Sequence, residues 1–416
     1  MKVRTGSRNA NLLLKIVLVV AVLVLFVAID RWIVWRHGDM RSSDFFSLWA
    51  SGRGLMEGID HYDEEAWAEI HVRYDGGWLE NPVFIYPLLT AFFFLPYALL
   101  PLPLAAVAWE LTSQAMLVVS VFALFAGLRS RRLPTAWFIP LLILSRPAMV
   151  VFTNGQLSAV WPFALALFYL FSRQQRYTAA GASLALFLLK PTVAVLILPV
   201  ALVWLLGQRA WKGLLAFAAL GGGALALSLL VAPGWVGRWM AYASAKGTHF
   251  ATFIPTAWGL SYDLLAGRVA EGFWLVALAA VAVGLVGFSV WWLAGADDHW
   301  PPALPMACAV CLSLFLSPYV WNYDQVLLIF PLGVTAAMTG RMAKWRRFLT
   351  WVGIVGVMLV LPYAFLVVAG RRGVDTLSAL VPLAALVLLV VAARWGGYRC
   401  ERLSLMRLLR PEEVSR

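Results

Sequence analysis

The polar residues able to do chemistry in this chain stand at one kind of place, where a long apolar run meets a short polar break. They are Asp44, Tyr86, Asn154, Gln156, Lys190, Arg238, His249, Asn322, Tyr323 and Asp324. Together they make a one-sided ring of acid, base and amide groups. A positioned carboxylate accepts a proton, and a lysine or arginine with amide donors holds an anion. Plainer roles stay open for each. Asp44 can cap a helix, Lys190 can snorkel to the interface, and Asn154, Gln156 and Asp324 can satisfy helix ends. Glu110, deeper in an apolar run, can pair within a bundle. Ionisable groups at membrane depth cost roughly 2.5–3.5 kcal/mol on insertion scales, so their gathering points to a functional cavity.

The elements that must carry these residues follow from hydropathy. Hydrophobic residues make up 62% of the chain and charged ones 13%, which excludes an ordinary soluble domain. Apolar runs long enough to cross a bilayer recur from end to end, and the short alternating segments of a membrane β-barrel are absent. The expectation is an all-α polytopic membrane protein, one integral-membrane domain over 1–416. Its spans are expected at about 11–33, 104–128, 134–152, 156–172, 177–190, 191–206, 213–232, 272–294, 301–318, 324–340, 348–369 and 376–394. The first reads as a retained helix, because no small-residue cleavage pattern follows it.

Charge orients the bundle. The formal charge of +12 sits in clusters flanking apolar segments, as at Arg129–Arg132, Arg173–Arg176, Arg209–Lys212 and Arg341–Arg347. This is positive-inside bias and attraction to anionic headgroups rather than nucleic-acid binding. Both termini are then cytoplasmic, with a basic tail over 395–416. Ten of the 21 acidic residues fall between Asp39 and Glu80, so 34–103 is expected to be the main extracytoplasmic loop. Within it Phe45, Leu48, Trp49, Gly52, Leu55 and Met56 share one helical face, the mark of an amphipathic helix in the interface that starts at Asp44. A second helix opens at Asp63-Glu64-Glu65. Residues 88–100 are apolar but too short to span, so they are expected to be re-entrant or interfacial. A second outer loop covers 233–271.

Other motifs exclude rather than assign. Cys308-x-x-Cys311 lies inside an apolar run without nearby ligand partners, which reads as two small buried hydrophobes. No cluster has metal-ligand spacing. There is no P-loop, G-x-G-x-x-G, H-E-x-x-H or G-x-S-x-G. Gly221-Gly222-Gly223 reads as a site of close helix packing.

The stretch Ser43-Asp44-Phe45-Phe46-Ser47-Leu48-Trp49-Ala50 resembles the D-F-x-x-Y-W-x-A pattern of glycosyltransferase family 87. Gly58 with Tyr62, Tyr86-Pro87, Gly155-Gln156, Lys190-Pro191, and Ser317-Pro318 leading to Tyr323-Asp324 resemble it too, in order, over about residues 40–330. Leu48 replaces a common aromatic, and Leu88 a second proline, without loss of a chemical group. The resemblance implies a GT-C fold of about 12 spans in the bacterial inner (plasma) membrane, with an extracytoplasmic active site. It implies transfer of a sugar, mannose in known cases, from a polyprenyl-phosphate donor to a glycolipid or glycan acceptor, without a cofactor. Asp44 would be the catalytic base, and Tyr86, Gln156, Lys190, Asn322, Tyr323 and Asp324 would bind substrate; from the polar ring itself, Asn154, Arg238 and His249 are expected to bind substrate with them. A lipid-phosphate sugar brings its own leaving group, so the enzyme needs mainly a base and donors for the departing phosphate. The alternative is a membrane transporter or lipid flippase, for which internal repeats and broken midplane helices would be expected.

Overall fold

The computed structural model describes residues 43–76, 84–128, 135–250, 252–265 and 303–396, with 28 and 41 beside them and without the side chains of 135–137 and 247–249. Every regular element among these residues is helical. They are α1 Asp44–Glu57, α2 Glu64–Arg73, α3 Leu89–Ala98, α4 Leu102–Gly127, α5 Thr135–Ile143, α6 Arg146–Thr153, α7 Val160–Arg173, α8 Tyr177–Ala185 and α9 Ile197–Gly207. Then come α10 Trp211–Val231, α11 Trp235–Phe250, α12 Ala257–Leu265, α13 Ala303–Leu316, α14 Ile329–Met338, α15 Lys344–Val355, α16 Leu361–Arg372 and α17 Leu380–Trp395. The spans expected at 11–33 and 272–294, and the tail beyond Gly396, lie outside the described residues.

Among the described residues four helical stretches are long and apolar enough to cross a membrane: Leu102–Gly127, Trp211–Val231, Lys344–Arg372 and Thr376–Trp395. The other expected spans appear as shorter apolar helices, because local chemistry breaks them. The run at 134–152 stops at Ile143. Ser145 then caps a new helix by accepting from the Ala148 N–H at 3.5 Å, with Pro147 in its first turn. Residues 186–189 and 191–194 are two 3₁₀ turns, and the chain between them is extended at Lys190 (φ −148°, ψ 78°). Pro191 explains this, since a proline disfavours helical geometry in the residue before it. In Lys344–Arg372 a π-turn at Gly356–Val360 precedes Pro362, whose missing N–H interrupts the regular ladder. Irregular backbone at such depth is tolerated where it lines a cavity or is buried in protein.

The core runs between these helices. α4 packs along α7, α8 along α10, α1 on α3, and α13 on α17. Trp67, Trp109 and Trp161 are fully enclosed. Gly221 brings α10 against Leu188, but Gly222 and Gly223 meet nothing, so close packing uses one glycine of the three. Cys308 and Cys311 are buried free thiols on α13.

One expectation for α1 needs correcting. The helix spans the stretch read for it, but Phe46, Ala50, Ser51 and Gly54 are buried along with Phe45, Leu48, Trp49 and Gly52, while Met56 is exposed. It is therefore enclosed on most of its circumference rather than lying half-exposed in an interface. α2, the His61–Tyr62 turn and α3 supply the cover: His61 bonds the Ser51 carbonyl at 2.7 Å, and a Cβ on Gly52 would stand 2.6 Å from the Ala98 Cβ. α2 is capped as expected, by the Asp63 carboxylate accepting from the Ala66 N–H at 2.9 Å.

Candidate active site

Asp44 lies in the first turn of α1, but the cap position belongs to Ser43. Its carboxylate takes no hydrogen bond from its own helix. Oδ2 accepts instead from the side-chain amides of Gln156 and of Asn154, the latter at 3.5 Å. Oδ1 has no hydrogen-bond partner among the described residues. The carboxylate therefore does not cap α1.

The amides arrive through a tight turn. α6 ends at Thr153, Gly155 takes the left-handed conformation (φ 63°), and the Gln156 N–H bonds the Val151 carbonyl at 3.0 Å, closing a Schellman-type cap. The turn is clasped from both sides. Phe45 N–H donates to the Asn154 carbonyl at 2.9 Å, and Trp109 Nε1 donates to the Gly155 carbonyl at 2.8 Å. A Cβ on Gly155 would come within 2.5 Å of the Phe45 Cβ. Glycine is thus required twice, by its φ and by this approach.

Asp44 is exposed to solvent yet crowded by surrounding protein, as a group in a recess is. Burial pushes its carboxyl above the ordinary aspartate range, partly offset by the Gln156 and Asn154 hydrogen bonds and by the charge of Lys190. A carboxylate tuned upward is a stronger base while still ionised above its pKa.

Lys190 does not snorkel. It is buried, and its ammonium pairs with Asp324 Oδ2 at 2.6 Å. Asp324 is completely enclosed. Oδ1 accepts from Ser158 Oγ at 2.6 Å and Trp161 Nε1 at 3.1 Å, and Oδ2 also accepts from the Trp321 N–H at 3.0 Å. Four donors saturate this carboxylate, which ties Lys190 to the 321–324 turn. The ammonium lies 5.9, 5.5 and 5.2 Å from the ring centres of Tyr86, Tyr319 and Tyr323. The Tyr86 hydroxyl points to Gln156 Oε1 at 3.5 Å, linking the lysine to the Asp44 side. Burial raises the Tyr86 hydroxyl well above its usual range, so it stays protonated and donates.

A cavity of about 360 Å³ opens from this cluster, with Lys190, Tyr86 and Tyr319 at the polar end and Pro87, Trp239, Met240 and Trp258 among its apolar walls. Its size falls in the range of small-molecule sites.

Not every expected residue joins the cluster. Arg238 pairs with Asp60 at 2.7 Å in a separate recess. Asn322 donates to Asp375 Oδ2 at 2.7 Å, away from Lys190. The side chain of His249 lies outside the described residues. Glu110 is buried in α4 and accepts from Gln114 at 3.1 Å, a pairing within the bundle. Among the described residues no three His, Cys, Asp or Glu side chains converge as a metal site.

Sequence reasoning missed a second, partly buried ion pair. Arg146 donates to Asp375 Oδ2 at 2.6 Å and to Ser378 Oγ at 3.2 Å, while Gln325 donates to the Ser378 carbonyl at 2.8 Å. With the Asn322 bond, this hub fastens the turn carrying Tyr323 and Asp324 to α6 and α17. A signal was present, since an arginine inside an expected span requires a partner.

The residues thus set a carboxylate, through Gln156 and Tyr86, beside a caged cation and phenols that open onto an apolar cavity within a helical bundle. No curated protein matches the chain. The family model for glycosyltransferase family 87 matches residues 84–318, more than half of the chain and including Tyr86, Asn154, Gln156 and Lys190. The chain belongs to glycosyltransferase family 87 and is a membrane-embedded glycosyltransferase.

Proposed function

We propose that the protein moves a sugar, mannose by family resemblance, from a polyprenyl-phosphate donor to a glycolipid or glycan hydroxyl on the extracytoplasmic side of a bacterial inner membrane. The observation that carries this reading is the pairing of two environments. Asp44 is a carboxylate with one oxygen unoccupied among the described residues, and one tyrosine away lies a caged lysine that opens onto an apolar cavity.

In this reading the donor's isoprenoid occupies the cavity and its phosphate meets Lys190. The ammonium spends one of its three protons on Asp324 and keeps two for the phosphate. Tyr86, with Tyr319 and Tyr323, adds hydroxyl donors. The acceptor oxygen attacks the anomeric carbon while Asp44 Oδ1 takes its proton. The bond from that carbon to the phosphate oxygen breaks, and its electron pair leaves with the lipid phosphate. One displacement inverts the anomeric centre, and no metal or cofactor enters the scheme.

The test is reconstitution of the full chain in proteoliposomes with polyprenyl-phosphate mannose or GDP-mannose as donor and bacterial membrane glycolipids as acceptor. Transfer from the lipid donor with inversion at the anomeric carbon is expected. Transfer from the nucleotide sugar alone, or retention of configuration, would overturn the reading.

A further inference from the structure

The recess holding Arg238 has no part in the scheme above. It measures about 160 Å³ and is lined by Gly58, Asp60, His61, Tyr62, Trp235 and Arg238, with Leu55 from the end of α1. Its two charges are locked on each other: Arg238 Nε meets Asp60 Oδ2 at 2.7 Å, and another guanidinium nitrogen donates to the Pro233 carbonyl at 3.1 Å. The neighbouring charges on α11 and α2 are matched too, Lys246 on Glu64 at 2.8 Å. Burial lowers the pKa of His61, which adds no charge at neutral pH.

We propose that this recess is a subsite for a neutral, polyhydroxylated ring, the non-reacting sugar of the acceptor headgroup. The proposal rests on the glycosyl-transfer reading. Charge decides the ligand class. An anion would find a cation already neutralised by Asp60 and would face the carboxylate as well. A vicinal diol can donate to the carboxylate and accept from the guanidinium while leaving the pair intact, and the planar fork of arginine suits two adjacent oxygens. The recess has room for about one such ring, with Tyr62 and Trp235 as its stacked aromatic floor.

Position decides which part of the substrate it is. α1 carries Asp44 in its first turn and Leu55 at the recess, eleven residues on, which at the helical rise is roughly 16 Å. A ring held here therefore belongs to a distant part of the acceptor, and the reacting hydroxyl comes from another sugar nearer Asp44. The recess is tied to the donor cavity through the segment Ile85-Tyr86-Pro87, which lines the cavity. The segment is pinned by Tyr62 Oη on the Tyr86 carbonyl at 3.0 Å and by Trp239 Nε1 on the Ile85 carbonyl at 2.9 Å. α11 serves both sides, with Trp235 and Arg238 in the recess and Trp239, Met240 and Ala243 in the cavity.

The test uses binding, independent of turnover. The full chain in lipid nanodiscs is titrated with methyl α-D-mannopyranoside and, separately, with inorganic phosphate, followed by saturation-transfer NMR. The Asp60→Asn/Arg238→Gln double variant removes both charges while keeping hydrogen-bonding amides, and Arg238→Lys keeps the charge but loses the fork. Both are expected to bind the glycoside at least tenfold more weakly than wild type. No glycoside binding by wild type, wild-type binding by both pair variants, or pair-dependent binding of phosphate instead would overturn the subsite. Pair-dependent glycoside binding by a protein that cannot use the lipid donor would leave the subsite standing and remove the donor reading.

Discussion

Replacing Lys190 alone confounds two effects, and the structure shows how to separate them. Asp324 is fully enclosed and Lys190 nearly so. Removing the ammonium strands a buried carboxylate, a loss of about 3–5 kcal/mol for breaking such a pair. The three remaining donors, from Ser158, Trp161 and Trp321, soften that cost without cancelling it. Replacing both partners by apolar residues of similar volume is often neutral, because no charge is left behind. Lys190→Met is therefore expected to lower thermal stability strongly, and Lys190→Met/Asp324→Asn, which leaves no charge yet keeps a carbonyl for Ser158 and Trp161 where leucine would orphan both, to recover most of the loss. Transfer should not recover, since the phosphate has lost its cation in both. The assay pairs thermal unfolding in detergent with initial rates at saturating and limiting lipid donor. A double variant that is stable and turns over near the wild-type rate would refute the argument and reduce Lys190 to a structural residue.

Further outcomes follow from the same geometry. Gly155→Ala forces a side chain into left-handed backbone, about 1–2 kcal/mol, and onto Phe45, about 1–3 kcal/mol of overpacking; a thermal shift with loss of turnover is expected, and an unchanged melting profile would contradict it. Arg146→Gln frees the Asn322–Gln325 turn through Asp375, so amide hydrogen exchange over 321–325 should accelerate and the donor KM should rise, whereas mere loss of folded enzyme would lower kcat alone. For Asp44, a folded-state pKa above the ordinary aspartate value of 3.8 means the folded state binds more protons between the two pKa values, so stability falls as pH rises through that window. Asp44→Asn should then melt no lower than wild type at neutral pH, and the acid limb of the wild-type kcat/KM profile should lie above 3.8.

Much of the bundle was legible because hydropathy and punctuation are local. The edges of α4, α7, α10 and α17 fall within a few residues of the apolar runs, and Pro191 marked the break that holds Lys190. The site was legible in part for the same reason: polar groups at span edges are unusual one by one. Partnership was not legible. Lys190 and Asp324 are separated by 134 positions, and nothing in spacing says that the acid satisfies the lysine instead of serving as a second base. Arg238 looked like a phosphate ligand because a lone arginine in a loop carries no trace of Asp60. The burial of α1 was misjudged for a related reason, since an apolar stripe shows what a helix hides on one face but not what later segments fold over the other.

The central claim is that Asp44 removes the acceptor proton. Asn matches Asp in shape and could still hydrogen-bond Gln156 through its carbonyl, but it binds no proton at neutral pH. Initial rates of transfer by reconstituted Asp44→Asn, with folding verified by thermal unfolding and donor binding measured separately, test this most directly. The account predicts a folded protein that binds donor normally and turns over roughly 10²–10⁴-fold more slowly. Turnover within a few-fold of wild type in that folded variant would contradict it.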